Sequence, residues 1–234
     1  MVKEDLIKRS PVRIFMDSIN GGLKPGELGV IVSPSGIGKT SVLVQIAMDK
    51  LLQDKKVIHI SFTRHTDYVL TWYEDIFNEF IKKKNLENEQ DVKNEAVKNR
   101  VLMKFTQGAV SGEQILKSLK ALIKDGGFNA DAIIIDGYDF YLSGEDHLPS
   151  ILGFASEMGV SVWYSCTVMG EEPFYDDRNI PLVLKNYAEL FAVIIVLDPK
   201  QDHIAFTVSK DRSVFNPENM ALKLDPKTLM IQGN

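Results

Sequence analysis

Short, unbroken apolar runs alternate along this chain with longer amphipathic stretches. Residues 28–32, 57–62, 132–135, 160–167 and 192–197 carry almost no polar–apolar alternation, which predicts strands buried on both faces. Residues 41–52, 66–83, 112–124, 148–158 and 182–190 read as helices. In 66–83 the aromatics Tyr68, Trp72, Phe77 and Phe80 form an expected core-facing stripe. In 112–124 Ile115, Leu116, Leu119, Leu122 and Ile123 share one side, and Ser111 is placed to cap the N-terminus. Residues 101–105 make a further short strand, and the mixed-charge stretch 82–100 reads as a solvated helix or excursion. Strands and helices in alternation, with apolar central strands, predict an α/β fold: a mostly parallel central sheet flanked by helices. The polar turn 198–202 leads into 203–209, and short strands follow at 222–224 and 229–231. These predict an antiparallel C-terminal hairpin at one sheet edge.

Composition narrows the class. The chain has 234 residues, 44% hydrophobic and 25% charged, which fits one domain with a sizeable core. Residues 1–16 are a lead-in and 216–234 a C-terminal extension of that domain. The formal net charge is −5 and no basic stripe stands out, so a nucleic-acid partner is disfavoured. Cys166 is the single cysteine, which excludes an intrachain disulfide. No apolar run approaches membrane-span length and the first residues lack a signal-peptide pattern, so a cytoplasmic location without membrane contact is expected.

One stretch names a ligand. Ser33, Pro34, Ser35, Gly36, Ile37, Gly38, Lys39, Thr40 and Ser41 follow the first strand and open a helix. They match the phosphate-loop pattern G-x-x-x-x-G-K-[ST], except that Ser33 replaces the first glycine. Successive backbone N–H groups in such a loop form an anion nest, and the helix N-terminus adds its dipole. Gly36 and Gly38 admit positive φ, whereas Ser33 fits its place only if φ there is negative. Lys39 would reach the outer phosphates, and the Thr40 hydroxyl would ligate Mg²⁺. The run Ile133-Ile134-Ile135 ends in Asp136, where a carboxylate at the sheet's carboxyl edge can hold the metal.

The wider sequence is more specific. Gly21-Gly22-Leu23-Lys24-Pro25-Gly26-Glu27-Leu28, then the loop, then Gln45-Ile46-Ala47, resembles the RecA superfamily, closest to the KaiC and RadA branch, with the DnaB-type helicase core as a relative. Phe15-Met16-Asp17 is similar to the Leu-Asp pair preceding this segment, and Asp136 matches the second nucleotide motif. Ser209-Lys210-Asp211-Arg212 resembles the Lys-x-Arg element. The resemblance covers roughly residues 12–215. It implies ATP and Mg²⁺ as ligands and a homo-oligomeric ring or filament with nucleotide between subunits. Lys210 and Arg212 would then act in trans on a neighbour's γ-phosphate, where a positioned cation accelerates transfer by about 10³–10⁵. Two exposed basic residues on an edge strand are the alternative.

The pattern breaks after the second strand. Related proteins place a water-polarising Glu there, but this chain has Thr63-Arg64-His65. Asp67 and Glu74 are the nearest carboxylates downstream. Losing a general base costs about 10²–10⁴ in rate, so binding is expected to outlast hydrolysis. Ser165 and Thr167 resemble in position a γ-phosphate-sensing residue, or are an ordinary polar strand end. The loop 169–178 holds four carboxylates against Arg178, which disfavours a nucleic-acid backbone and suits a protein contact or lid. The expected function is a KaiC-like regulatory or signalling ATPase of low turnover. The alternatives are a non-hydrolysing nucleotide module that controls assembly or a protein partner, and a DNA recombination or repair accessory ATPase.

Overall fold

The computed structural model describes residues 10–62, 66–82, 88–106, 108–142, 147–170, 175–215 and 218–233. Its apolar runs become β1 (Leu28–Ser33), β2 (Val57–Ser61), β3 (Arg100–Lys104), β4 (Ala132–Asp136), β5 (Ser161–Thr167) and β6 (Val193–Pro199). β7 (Ile204–Asp211), β8 (Glu218–Leu224) and β9 (Ile231–Gly233) follow. All nine pair in one sheet, ordered β3-β2-β4-β5-β1-β6-β7-β8-β9. The first six run parallel, and β7, β8 and β9 add antiparallel strands at one edge. The mixed α/β architecture with an antiparallel C-terminal hairpin is therefore the one the hydrophobic pattern predicts.

Helices cover both faces, which is why the central strands have no polar side. The helices α1 (Pro11–Asp17), α2 (Lys39–Leu52), α3 (Thr66–Lys82) and α4 (Glu89–Lys98) pack on one face, through residues such as Phe15, Leu43, Ile46, Val69, Phe77 and Ala96. α5 (Gly112–Lys120) and α6 (His147–Met158) cover the other through Ile115, Leu119, Ile151 and Phe154. Ser111 caps α5 in a full capping box with Gln114. No helix among the described residues is long and apolar enough to cross a membrane.

Four elements depart from the sequence reading. The lead-in contains α1, capped by Ser10, with Val12 and Phe15 fully buried and Arg13 paired to Asp49 of α2. α5 ends at Lys120 and continues as one wide turn, Ala121–Asp125, where Gly126 N–H reaches back to the Ala121 carbonyl. The expected helix at 182–190 is two single 3₁₀ turns, Leu182–Leu184 and Ala188–Leu190. The aromatic stripe on α3 splits: Phe77 and Phe80 enter the core, but Tyr68 is 51% exposed and Trp72 lines a cleft.

Parallel pairing brings several strand ends to one edge. Ser33 of β1 stands beside Thr167 of β5, and Ser61 of β2 beside Asp136 of β4. Every group at that edge is held by a strand buried on both sides, so the site is built on the most rigid part of the molecule.

Candidate functional site

The chain leaves β1 at this edge, turns through Gly36 (φ 81°) and Gly38 (φ 107°), and enters α2 at Lys39. Both glycines adopt the left-handed conformations that the motif requires. Ser33 does not: it completes β1 with extended geometry, so the missing glycine leaves no strain. Its hydroxyl donates to the Pro34 carbonyl (2.9 Å) and faces Lys39 Nζ at 3.2 Å. No side chain caps α2, so its first N–H groups open into the cleft.

The cleft measures about 310 Å³. Its floor is the loop and helix start, from Ser35, Gly36 and Gly38 to Ser41; Asp136, Gly137, Ser165 and Thr167 form the wall from β4 and β5. Tyr68 and Trp72 of α3 close one side and Leu229 another. Among the residues read from the motif, Ser33, Pro34 and Ile37 do not line it. Ser33 is buried beneath the loop and Ile37 packs against the core.

Lys39 folds back onto its own loop. Nζ donates to the Ser33 carbonyl (3.0 Å) and the Pro34 carbonyl (2.7 Å). Burial lowers its pKa to about 8, with the Cys166 sulfur and the Asp136 carboxylate pulling the other way. A desolvated ammonium bonded to neutral carbonyls, with Asp136 offsetting its charge only in part, is suited to receive an anion.

Thr40 and Asp136 meet directly. Thr40 Oγ1 donates to Asp136 Oδ2 at 2.9 Å, and Ser165 Oγ donates to Asp136 Oδ1 at 2.7 Å. The Gly137 N–H donates to Ser165 Oγ at 2.8 Å. Ser165 is thus committed to orienting Asp136, and Thr167, at the strand end, is the polar group of this pair left facing the cleft. A hydroxyl and a carboxylate, both hard oxygen donors, fit Mg²⁺ that takes its remaining ligands from phosphates and water. Among the described residues no group of three or more His, Cys, Asp or Glu side chains is gathered for a metal.

The search for a catalytic carboxylate is narrowed. Asp67 is exposed at the start of α3 and does not line the cleft; Glu74 lines a different one. Thr63, Arg64 and His65 lie outside the described residues.

Lys210 and Arg212 lie away from that edge, Lys210 level with the middle of β1 and Arg212 level with its start. Lys210 pairs with Ile194, which pairs with Val30, and Arg212 N–H bonds to Ala192, whose N–H bonds to Leu28. At about 3.3 Å per residue, Arg212 is roughly 16 Å down the strand from Ser33. Neither can serve the phosphate loop of its own chain. Lys210 is buried, donating to the Ala188 carbonyl (2.6 Å) with Glu189 at 3.6 Å. Arg212 is forked onto Glu27 (3.0 Å) and also donates to the Ile19 and Gly22 carbonyls. Lys210 is thus buried and Arg212 partly so, each already bonded within the chain, so the alternative of two exposed residues on an edge strand is not what forms.

Leu229 is a site residue that the sequence pattern missed. Its backbone sits at φ 52°, and its carbonyl accepts from Ser41 Oγ (2.6 Å) and Gln45 Nε2 (2.9 Å). Gln45 Oε1 accepts from Ile231 N–H at 2.9 Å. Leu224 and Leu229 press on Gly38 so closely that a Cβ there would stand 2.7 Å from Leu224 Cδ2. The hairpin end therefore clamps the loop-bearing helix. Gln45→Ala should cost about 1–3 kcal/mol, since it leaves the buried Ile231 N–H without its acceptor. Denaturant midpoints, with faster amide exchange at Ile231, check this.

No family model matches the chain, and no curated protein matches it.

Proposed function

We propose that this chain binds a nucleoside triphosphate with Mg²⁺ and acts as a RecA-type, KaiC-like regulatory ATPase of low turnover. The observation that carries the reading is the 2.9 Å bond from Thr40 to Asp136, which joins the helix after the loop to the end of a neighbouring buried strand. A glycine-rich turn alone could be structural. A turn that aims a hydroxyl at a carboxylate, beside a buried lysine and an uncapped helix, has the parts that a metal-bound triphosphate needs.

In this reading, Lys39 leaves the loop carbonyls to hold the outer phosphates while the backbone N–H groups of the loop cradle them. Thr40 and Asp136 hold Mg²⁺, which when bound neutralises charge on the phosphates. Ser165 keeps Asp136 oriented. ATP, rather than another nucleotide, rests on the sequence resemblance, as does assembly in a ring or filament. Trans action by Arg212 would require it to leave Glu27.

A second reading, a nucleotide-binding module without hydrolysis, also has an observation behind it. Among the described residues lining the cleft, Asp136 is the one carboxylate, and each of its oxygens accepts from Thr40 or Ser165. With Asp136 given to the metal, no carboxylate among these lining residues is left to take a proton from water. A nucleic-acid role has less behind it, because Arg178 in the loop after β5 is already engaged by Asp176 and Glu189.

Calorimetric titration of the purified chain with ATP and GTP, each with Mg²⁺, tests binding; phosphate release over several hours tests turnover. Binding with slow release supports the ATPase. Binding with release no faster than in Lys39→Ala supports the module. No binding of either nucleotide overturns both.

A further inference from the structure

A second, smaller cleft lies on the helical face between α3, α4 and the start of β3. Arg100 and Lys93 line it, together with Tyr73, Glu74 and an apolar set that includes Phe77 and Val97. We propose that this cleft is a docking site for an acidic side chain carried by a partner protein, with Arg100 as the receiving cation.

The first argument is a charge that Glu74 offsets only in part, without an ion pair between them. Arg100 is half-buried, and its guanidinium lies over the Tyr73 ring at 4.2 Å from the centroid. Among the described residues it forms no ion pair, and neither does Lys93. Burial draws the Arg100 pKa below its ordinary value. A desolvated guanidinium is costly unless an anion meets its N–H edge. Stacking on Tyr73 occupies a face of the group, not that edge. The fork of N–H donors matches a planar carboxylate.

The platform is also rigid. Tyr73 is buried, and its hydroxyl lies 3.0 Å from Nδ1 of His59, itself fully buried in β2. The ring cannot swing away, so Arg100 is held in place before any ligand arrives, which lowers the ordering cost of binding.

Size and lining select the occupant. The cleft holds about 40 Å³, room for roughly three waters at about 10–15 Å³ each. That fits a carboxylate with its adjoining methylene and excludes a nucleotide. Its rim carries Val97, an apolar side chain 51% exposed on α4. A free small anion would gain one ion pair of about 0–1 kcal/mol near the surface, too little to offset association. An acidic residue followed by an apolar one gains the ion pair and covers Val97 as well. Among the described residues Glu74 forms no ion pair; it stands at the same cleft and disfavours an incoming anion, so its removal should strengthen docking.

The test is NMR titration of the ¹⁵N-labelled full chain, without nucleotide, so that it stands or fails apart from the ATPase reading. The probes are the capped dipeptides Ac-Glu-Leu-NH₂ and Ac-Gln-Leu-NH₂, and glutarate. The Glu probe should shift the Arg100 Nε–H and the Ala96 and Val97 amides saturably, with affinity about threefold to fivefold above the Gln probe. Arg100→Gln should erase that preference, and Glu74→Gln, an exposed change that leaves the core intact, should strengthen Glu-probe binding. Equal shifts by the two dipeptides, or none, would overturn the site. Glutarate binding as tightly as the Glu probe would overturn the protein-borne occupant.

Discussion

Lys39→Ala should weaken binding of a magnesium–triphosphate complex by about thirtyfold to a thousandfold while leaving the fold intact. The side chain is buried, and its partners within the chain are the Ser33 and Pro34 carbonyls and the Ser33 hydroxyl, which sit in the loop itself. Its removal frees those groups to bond water entering the cleft, so the cost in stability is small. In the bound state the same deletion strips a charge-assisted contact from a desolvated phosphate, about 2–4 kcal/mol, or between one and three powers of ten in affinity. Calorimetry of both proteins, with a thermal melt of each, separates the two effects. Equal affinity would mean that the loop does not hold phosphate.

The second large effect is acid destabilisation. His147 is buried at the start of α6, stacked on Tyr138 with ring centroids 4.6 Å apart, and among the described residues neither ring nitrogen has a hydrogen-bond partner. Burial lowers its pKa to about 4. His59 shifts the same way, mainly through burial, with Asp136 opposing and Arg100 reinforcing. A base whose folded pKa lies below its unfolded value binds more protons when unfolded, so stability falls as pH drops from about 6.5 towards 4. For His147 alone the loss approaches about 3 kcal/mol below pH 4, at about 1.4 kcal/mol per unit. That is a large part of a typical stability of about 5–15 kcal/mol. Urea midpoints between pH 7 and 4 should show the slope, and His147→Phe should flatten it. An unchanged slope in that variant would assign the acid sensitivity elsewhere.

What was legible in the sequence follows a physical division. Strands β1, β2, β4, β5 and β6 are buried on both faces, so their residues are mostly apolar on both sides and announce themselves. The loop was legible because Gly36 and Gly38 occupy backbone conformations that few other residues adopt. Asp136 was legible as the polar end of an apolar run. The short helix α1 was not: Ser10 and Pro11 mark its start, but seven residues are too few to display a helical period, and packing against α2 and the sheet completes its stability. Leu229 was invisible for another reason. It acts through a backbone carbonyl in a turn, and no side-chain pattern encodes where that carbonyl points. Arg100 read as one more charge in a solvated stretch; only the fold shows it lying on Tyr73.

The strand order carries a kinetic consequence. β1, which launches the glycine-rich loop, pairs on its two sides with β5 and β6, both from the far half of the chain. Such distant parallel pairing raises the contact order and places folding in the slow, millisecond-to-second range. The shape of the loop therefore has no local precursor: a peptide covering the loop and its helix would not hold it. A ligand that recognised the finished loop would act on the unfolding limb of the kinetics, lengthening the lifetime of the whole sheet and leaving the rate of its assembly almost untouched.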